Sequence, residues 1–174
     1  LRPEARDVIR GLHELGVEHL VMMTGDNEKT ARAVAEAVGV DAYFAEVLPE
    51  DKAAFIQAEH AAGRKVIMLG DGVNDSPALS EADAGVAISD GAAIAREVAD
   101  ITVGADDLYA LLTLKRLSDA LMERIHSNYR KIISFNFLLI CLGVAGVLPP
   151  ATSALLHNAS TLVISLKSMT KLLA

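Results

Sequence analysis

One stretch, KVIMLGDGVNDSPAL at positions 65–79, constrains the fold more than any other part of the chain. Its apolar run at 66–69 stops at Gly70 and reads as a short buried strand. A turn follows at once and carries Asp71, Asn74 and Asp75. Carboxylates placed where a parallel strand ends stand in the crevice in which open α/β sheets bind ligands. Gly70 and Gly72 let the backbone turn sharply and approach an anionic group closely. Asp71 and Asp75 offer hard oxygen ligands of the kind Mg²⁺ takes when it is shared with a phosphate. Two acids so close repel each other unless a cation or a basic side chain lies between them. The plainer alternative is a solvated acidic turn after a strand.

The rest of the first hundred residues repeats that rhythm. Pro3 suits a first helical turn, and Val8, Ile9, Leu12 and Leu15 recur at helical spacing until Gly16. A strand at 19–23 runs into Thr24, Gly25, Asp26 and Asn27, a second polar turn after a strand. The spacing predicts a helix over 30–38 with Ala31, Val34, Ala35 and Val38 inward, stopped by Gly39. A short strand is predicted at 42–44, and Pro49 opens a helix holding Lys52, Phe55 and Ile56. After the organising strand come a short helix at 78–82, a strand at 86–88, a helix at 92–98 and a strand at 101–103. Strands alternating with helices give a parallel sheet with helices on its faces.

The pattern changes at Asp106. Leucines at helical spacing mark one long helix over 107–131, basic at its end through Arg124, Arg130 and Lys131. The run 132–148 is then apolar except for Ser134 and Asn136, about the minimum for a bilayer helix. A tight turn is expected at Pro149 and Pro150, and 151–166 forms a second apolar run closed by Lys167 and Lys171. Basic residues flank the outer ends of this hairpin, which puts Lys131 and Lys171 in the cytoplasm. The competing reading is a helical hairpin buried in a soluble protein. The expected layout is thus a sheet domain at 1–105, a stalk helix at 106–131 and two transmembrane helices at 132–174, with 1–131 cytoplasmic.

Composition agrees with a divided chain. Of 174 residues, 52% are hydrophobic although 22% are charged, and the apolar excess gathers after Ile132. A net charge of −7, with no basic cluster interleaved with aromatics, excludes a nucleic-acid binder. Cys141 is the single cysteine, so no internal disulfide can form. The opening Leu1-Arg2-Pro3, without Met, reads as a cut inside a longer protein.

Three loop motifs therefore stand at sheet-end positions: Thr24-Gly25-Asp26, Lys52 behind Pro49, and the turn at Asp71. Phosphoryl transfer through an aspartyl phosphate needs a nucleophilic carboxylate, a cation on the phosphate and fixed donors to its oxygens. The Thr24 hydroxyl with nearby N–H groups can donate, and Lys52 can place a point charge there. Asp71 can hold Mg²⁺ while Asn74 and Asp75 shape the turn. Singly, each has a second reading: Thr24 as a helix cap, Lys52 as a surface lysine.

GDGVND followed by SPAL resembles the hinge motif of P-type ATPases, cation pumps whose phosphorylation domain has the haloacid dehalogenase fold. The resemblance implies that fold for the sheet, followed by a stalk helix and a transmembrane hairpin. It implies catalytic roles for Thr24, Gly25, Asp26, Lys52, Asn74 and Asp75, and phosphate or cofactor contacts from Thr24, Gly25, Lys52, Gly70 and Asn74. It makes Asp71 and Asp75 the magnesium ligands and has ATP bound by a domain outside this sequence. The family nucleophile is the aspartate of a DKTGT string, which this sequence does not contain. The chain is therefore expected to be the C-terminal part of a pump and not to hydrolyse ATP alone.

A single membrane pair after the phosphorylation domain resembles the heavy-metal branch. In the second apolar run, His157-Asn158-Ala159-Ser160-Thr161 resembles the HEGST of cobalt- and zinc-associated members, with Asn158 in place of the glutamate. Imidazole at membrane depth is costly and suits divalent transition metals. His157, Asn158, Ser160 and Thr161 are thus candidate ligands of the transported cation, or Asn158, Ser160 and Thr161 bond between helices instead. Asn136 and Cys141 stay open as further ligands, and the absence of a Tyr-Asn pair argues against copper(I). The partners implied are a transition-metal cation for export, the bilayer of a plasma or inner membrane, and the N-terminal remainder of the pump. The alternatives are a membrane-anchored phosphatase of the same fold and a non-catalytic regulatory module.

Overall fold

The computed structural model describes residues 2–71, 74–88, 97–104 and 107–172. The helix expected at 92–98, the glycine at 72 and the boundary near 105 fall wholly or partly outside these. The described residues divide into two compact units, Leu1–Thr113 and Leu114–Ala174.

In the first unit, helices and parallel strands alternate as α1 (Ala5–Glu14), β1 (Val21–Met23), α2 (Glu28–Val38), β2 (Ala42–Phe44) and α3 (Pro49–Ala61). They continue as β3 (Ile67–Gly70), α4 (Ser76–Glu81), β4 (Ala84–Ile88) and β5 (Ile101–Val103). The strands form two parallel sheets, β1 with β2, and β3-β4-β5 with β4 in the middle. Helix α2 follows its predicted spacing: Ala31, Ala35 and Val38 are buried, and Gly39 ends it at φ 81°. On its outer side, Tyr43 from β2 donates to Glu28, and Arg32 bonds both, which ties the helix to its strand. The core is built from Ile56 of α3, Ala78 and Leu79 of α4, and Val86 and Ala87 of β4. At Gly85, a Cβ would lie 2.6 Å from the Leu79 carbonyl oxygen, so glycine lets α4 close onto β4.

One expectation fails here. The organising strand β3 is not buried: Ile67 and Leu69 are 58% and 39% exposed. Among the described residues β3 pairs with β4 alone, and the buried central position goes to β4.

The second unit consists of most of α5 (Ala110–Val144) and α6 (Pro150–Ser168). Helix α5 runs 35 residues with no break where the stalk was expected to meet the apolar segment. The reversal starts at Gly146, with φ 72°, and Val147 N–H bonds back to the Leu142 carbonyl. Pro149 caps α6 and Pro150 opens it, so the two prolines start a helix more than they make the turn. No helix among the described residues is long and apolar enough to cross a membrane. Helix α5 ends at Val144 and so carries only 132–144 of the first apolar run, with Ser134 and Asn136 inside it, and the second run is diluted by His157, Asn158 and Ser160 in α6.

The two helices are joined by polar side chains. Asn128 donates to the Ser168 hydroxyl, and the Arg124 guanidinium donates to the carbonyls of Ser168, Thr170 and Lys171 at the end of α6. Leu139 is the one buried hydrophobic residue described in this unit. Large apolar side chains face outward, with Phe137 67% and Val144 86% exposed.

Candidate functional site

The turn after β3 folds back on itself. Asp71 accepts from the Asn74 N–H at 3.3 Å, and Asp75 ends the turn and begins α4, its carbonyl accepting from Leu79. The Asp75 carboxylate then lies over Gly70, where an added Cβ would meet its Oδ2 at 2.6 Å. Gly70 thus makes room for this chain's own carboxylate, a role different from the one expected for it.

Onto that carboxylate comes Lys52 from the first turn of α3. Pro49 starts the helix, and the Asp51 side chain accepts from the Leu48 N–H at its entrance, setting the first turn. The Lys52 Nζ then donates to Asp75 Oδ1 at 2.6 Å, with 14% and 12% of the two side chains exposed. This is no surface lysine. A charge-assisted bond of that length, largely shielded from water, fixes both groups in direction.

At the other sheet, the turn after β1 is stitched to the loop behind β2. Thr24 N–H donates to Phe44, Val47 N–H to the Thr24 carbonyl and Glu46 N–H to the Asp26 carbonyl. The Thr24 hydroxyl donates to Asp26 Oδ2 and accepts from the Asp26 N–H, both at 3.1 Å. Thr24 does not cap α2, because Asn27 does, accepting from the Thr30 N–H at 3.0 Å. Gly25 is open, its nearest neighbour for a Cβ being the Val47 carbonyl at 3.7 Å.

Lys52, Gly70, Asp71, Asn74 and Asp75 are therefore brought together around the β3 turn, and Thr24, Gly25 and Asp26 around the β1 turn. The pairing of Lys52 with Asp75, 23 positions apart, was not legible in the sequence. Neither was a cluster at the opposite end of β3, where Asp83 accepts from Lys65, the Val66 N–H and His60. The Lys65 ammonium, the Val66 N–H and His60 hold the Asp83 carboxyl well below the usual carboxylate range.

In the second unit, His157 of α6 meets Asn136 of α5, with Nδ1 2.8 Å from Asn136 Oδ1. The hydroxyls of Ser160 and Thr161 both donate to the His157 carbonyl, at 2.8 and 3.0 Å. Asn158 lies on the same helix, and Cys141 is exposed on α5. Among the described residues, no three His, Cys, Asp or Glu side chains gather to hold a metal by themselves.

Residues 1–83 match the haloacid dehalogenase-like hydrolase family. The chain is 41% identical over 165 residues to a zinc-exporting P-type ATPase of Mycobacterium marinum, covering 94% of this chain and 22% of that protein. A manganese-exporting P-type ATPase of Mycobacterium tuberculosis is 40% identical over 165 residues, 94% of this chain and 23% of the relative. The crystal structure of a zinc-transporting PIB-type ATPase in its E2.Pi state superposes with a TM-score of 0.84 at 30% identity, covering 100% of this chain and 28% of that one. The chain thus spans about a quarter of the length of the proteins it matches.

Proposed function

We propose, from its similarity to zinc- and manganese-exporting P-type ATPases over nearly its whole length, that this chain is part of an ATP-driven pump exporting a divalent transition-metal cation. The Lys52–Asp75 pair over Gly70 carries the reading. A partly buried ammonium fixed at a strand-end turn is a preset positive charge, which is what a transferred phosphoryl group requires.

In this reading the nucleophilic carboxylate comes from a segment outside this sequence. Lys52 holds its charge against the phosphoryl oxygens, with Asp75 setting its direction. The Thr24 hydroxyl, on leaving the Asp26 carboxylate, and the Gly25 N–H donate to the same oxygens, with Asp26 holding the Thr24 hydroxyl until then, and the Asn74 N–H holds the Asp71 carboxylate in place. Magnesium fits the hard oxygen donors of this turn, and Asp71 and Asp75 are the carboxylates proposed to hold it. When bound, Mg²⁺ supplies neutralisation of charge on the phosphoryl oxygens. The nucleotide, ATP, is held by a domain outside this sequence.

The α5–α6 pair is the membrane part of the reading. Its apolar side chains face outward, and its polar ones join the helices, an arrangement suited to hydrocarbon around it and further helices beside it. His157, with Asn158, Ser160 and Thr161 near it on α6, is the candidate site for the cargo, and imidazole suits zinc, cobalt and similar divalent ions.

Acid-quench labelling of the full-length pump with radioactive ATP tests the phosphorylation site. Asp71→Ala is expected to abolish the phosphoenzyme, and the isolated 174-residue chain is expected to stay unlabelled. Normal labelling of Asp71→Ala overturns the assignment.

A further inference from the structure

We propose that Asn136 is a positioning residue for His157, one that holds the ring with its proton on Nδ1 and presents Nε2 to the transported cation. The inference rests on the reading of His157 as a cargo ligand and says how that ligand is prepared.

A side-chain carbonyl oxygen only accepts, so the nitrogen 2.8 Å from Asn136 Oδ1 must carry the hydrogen. Neutral imidazole has one N–H; with it on Nδ1, the lone pair is on Nε2. Metal-bound histidines are generally oriented this way, the second ring nitrogen donating to a carbonyl or carboxylate that fixes the tautomer and raises ligand basicity.

The rest of the motif narrows the choice. The protons of Ser160 and Thr161 are committed to the His157 carbonyl, so these hydroxyls brace the backbone turn that carries the ring. The ring itself is held from α5, across the gap between helices, by Asn136. Asn136 thereby acts through His157 rather than as a ligand. An amide turned over would offer Nδ2–H to Nδ1, force the proton onto Nε2 and close the ring to metal.

The test uses the full-length pump in lipid nanodiscs with ¹⁵N-labelled histidine rings, His157 being assigned by its loss in His157→Gln. Zinc alone is titrated by calorimetry. In the wild type the His157 signals should be those of the Nδ1–H tautomer. Asn136→Leu is expected to mix the tautomers and weaken zinc binding by about 10- to 100-fold. Asn136→Asp keeps an acceptor and removes any donor, so tautomer and affinity should stay within a few-fold of wild type. An unchanged tautomer and affinity in Asn136→Leu overturn the proposal, as does a loss in Asn136→Asp equal to that in Asn136→Leu. If His157→Gln itself binds zinc normally, the cargo reading of His157 fails first, and that outcome is distinct from the other two.

Discussion

The two units of this chain are packed on opposite principles. In the sheet unit, Ile56, Leu79 and Val86 are enclosed while charged side chains pair around the outside. In the helical pair, apolar side chains such as Phe137, Ile140 and Val144 stand outside, and the contacts between helices include Asn128–Ser168, Asn136–His157 and the three carbonyl bonds of Arg124. The sheet unit is held by burial, which is non-directional and scales with area. A unit with its apolar side outward is left with directional bonds to fix its geometry. The difference teaches that the same substitution carries different weight on either side of Thr113.

The largest expected effect therefore lies in the enclosed core. Ile56→Ala should destabilise the sheet unit by about 2–5 kcal/mol, through lost burial and the cavity left behind. Phe137→Ala, at an outward position, should leave that unit's unfolding within about 0.5 kcal/mol of wild type. Denaturant unfolding followed by hydrogen exchange at α3 and β4 reads both. Equal losses would break the comparison.

The next effect is at the Lys52–Asp75 pair. Lys52→Ala leaves a carboxylate that is 12% exposed without its partner, which costs about 1–3 kcal/mol of stability. Phosphoenzyme turnover should fall with it. Lys52→Arg should recover the charge but not the turnover, because a planar guanidinium reaches differently from an ammonium. Wild-type turnover in Lys52→Ala would place this pair with the surface pairs. In the helical unit the corresponding change is Arg124→Ala, which removes donors from three carbonyls at the end of α6. About 1 kcal/mol or less is at stake there. The readout is faster amide exchange at 168–172, with phosphorylation unaffected.

What the sequence made legible follows the same division. The alternation of strands and helices, the inward face of α2 at Ala31, Ala35 and Val38, and the turns at Thr24 and Asp71 are local patterns, and periodicity and turn chemistry expose them. Pairings between elements were not visible. Lys52 could be read as a charge awaiting a phosphate, but its partner Asp75 depends on how α3 lies against the β3 turn. Gly70 signals close approach without saying of what, and in the structure the Asp75 carboxylate lies there. An apolar run such as that of β3 announces a strand and leaves its place in the sheet open. Asn136 and His157 each stand out in the sequence, but their bond depends on the helix register across the turn at Gly146.

The smallest effect tests whether an exposed carboxylate in the sheet unit contributes through its partners at all. Asp83 gathers Lys65, the Val66 N–H and His60, joining the end of α3 to the start of β3 just before β4 begins. Its carboxyl is held below the ordinary range chiefly by Lys65, so the folded chain binds that proton less readily than the unfolded one. Where the unfolded state binds more protons, stability rises with pH. The Asp83 contribution is therefore complete above the unfolded value of about 4 and is lost as pH falls from there toward the folded one. Asp83→Asn removes the charge at every pH. The variant should melt below wild type at neutral pH, and the gap should narrow as the solution is acidified below about pH 4. Salt should shrink the neutral-pH gap as well, because the groups are partly exposed and screened. A gap that stayed constant from neutral pH to pH 2 would mean that Asp83 acts by shape and hydrogen bonding to Val66, with its charge contributing nothing.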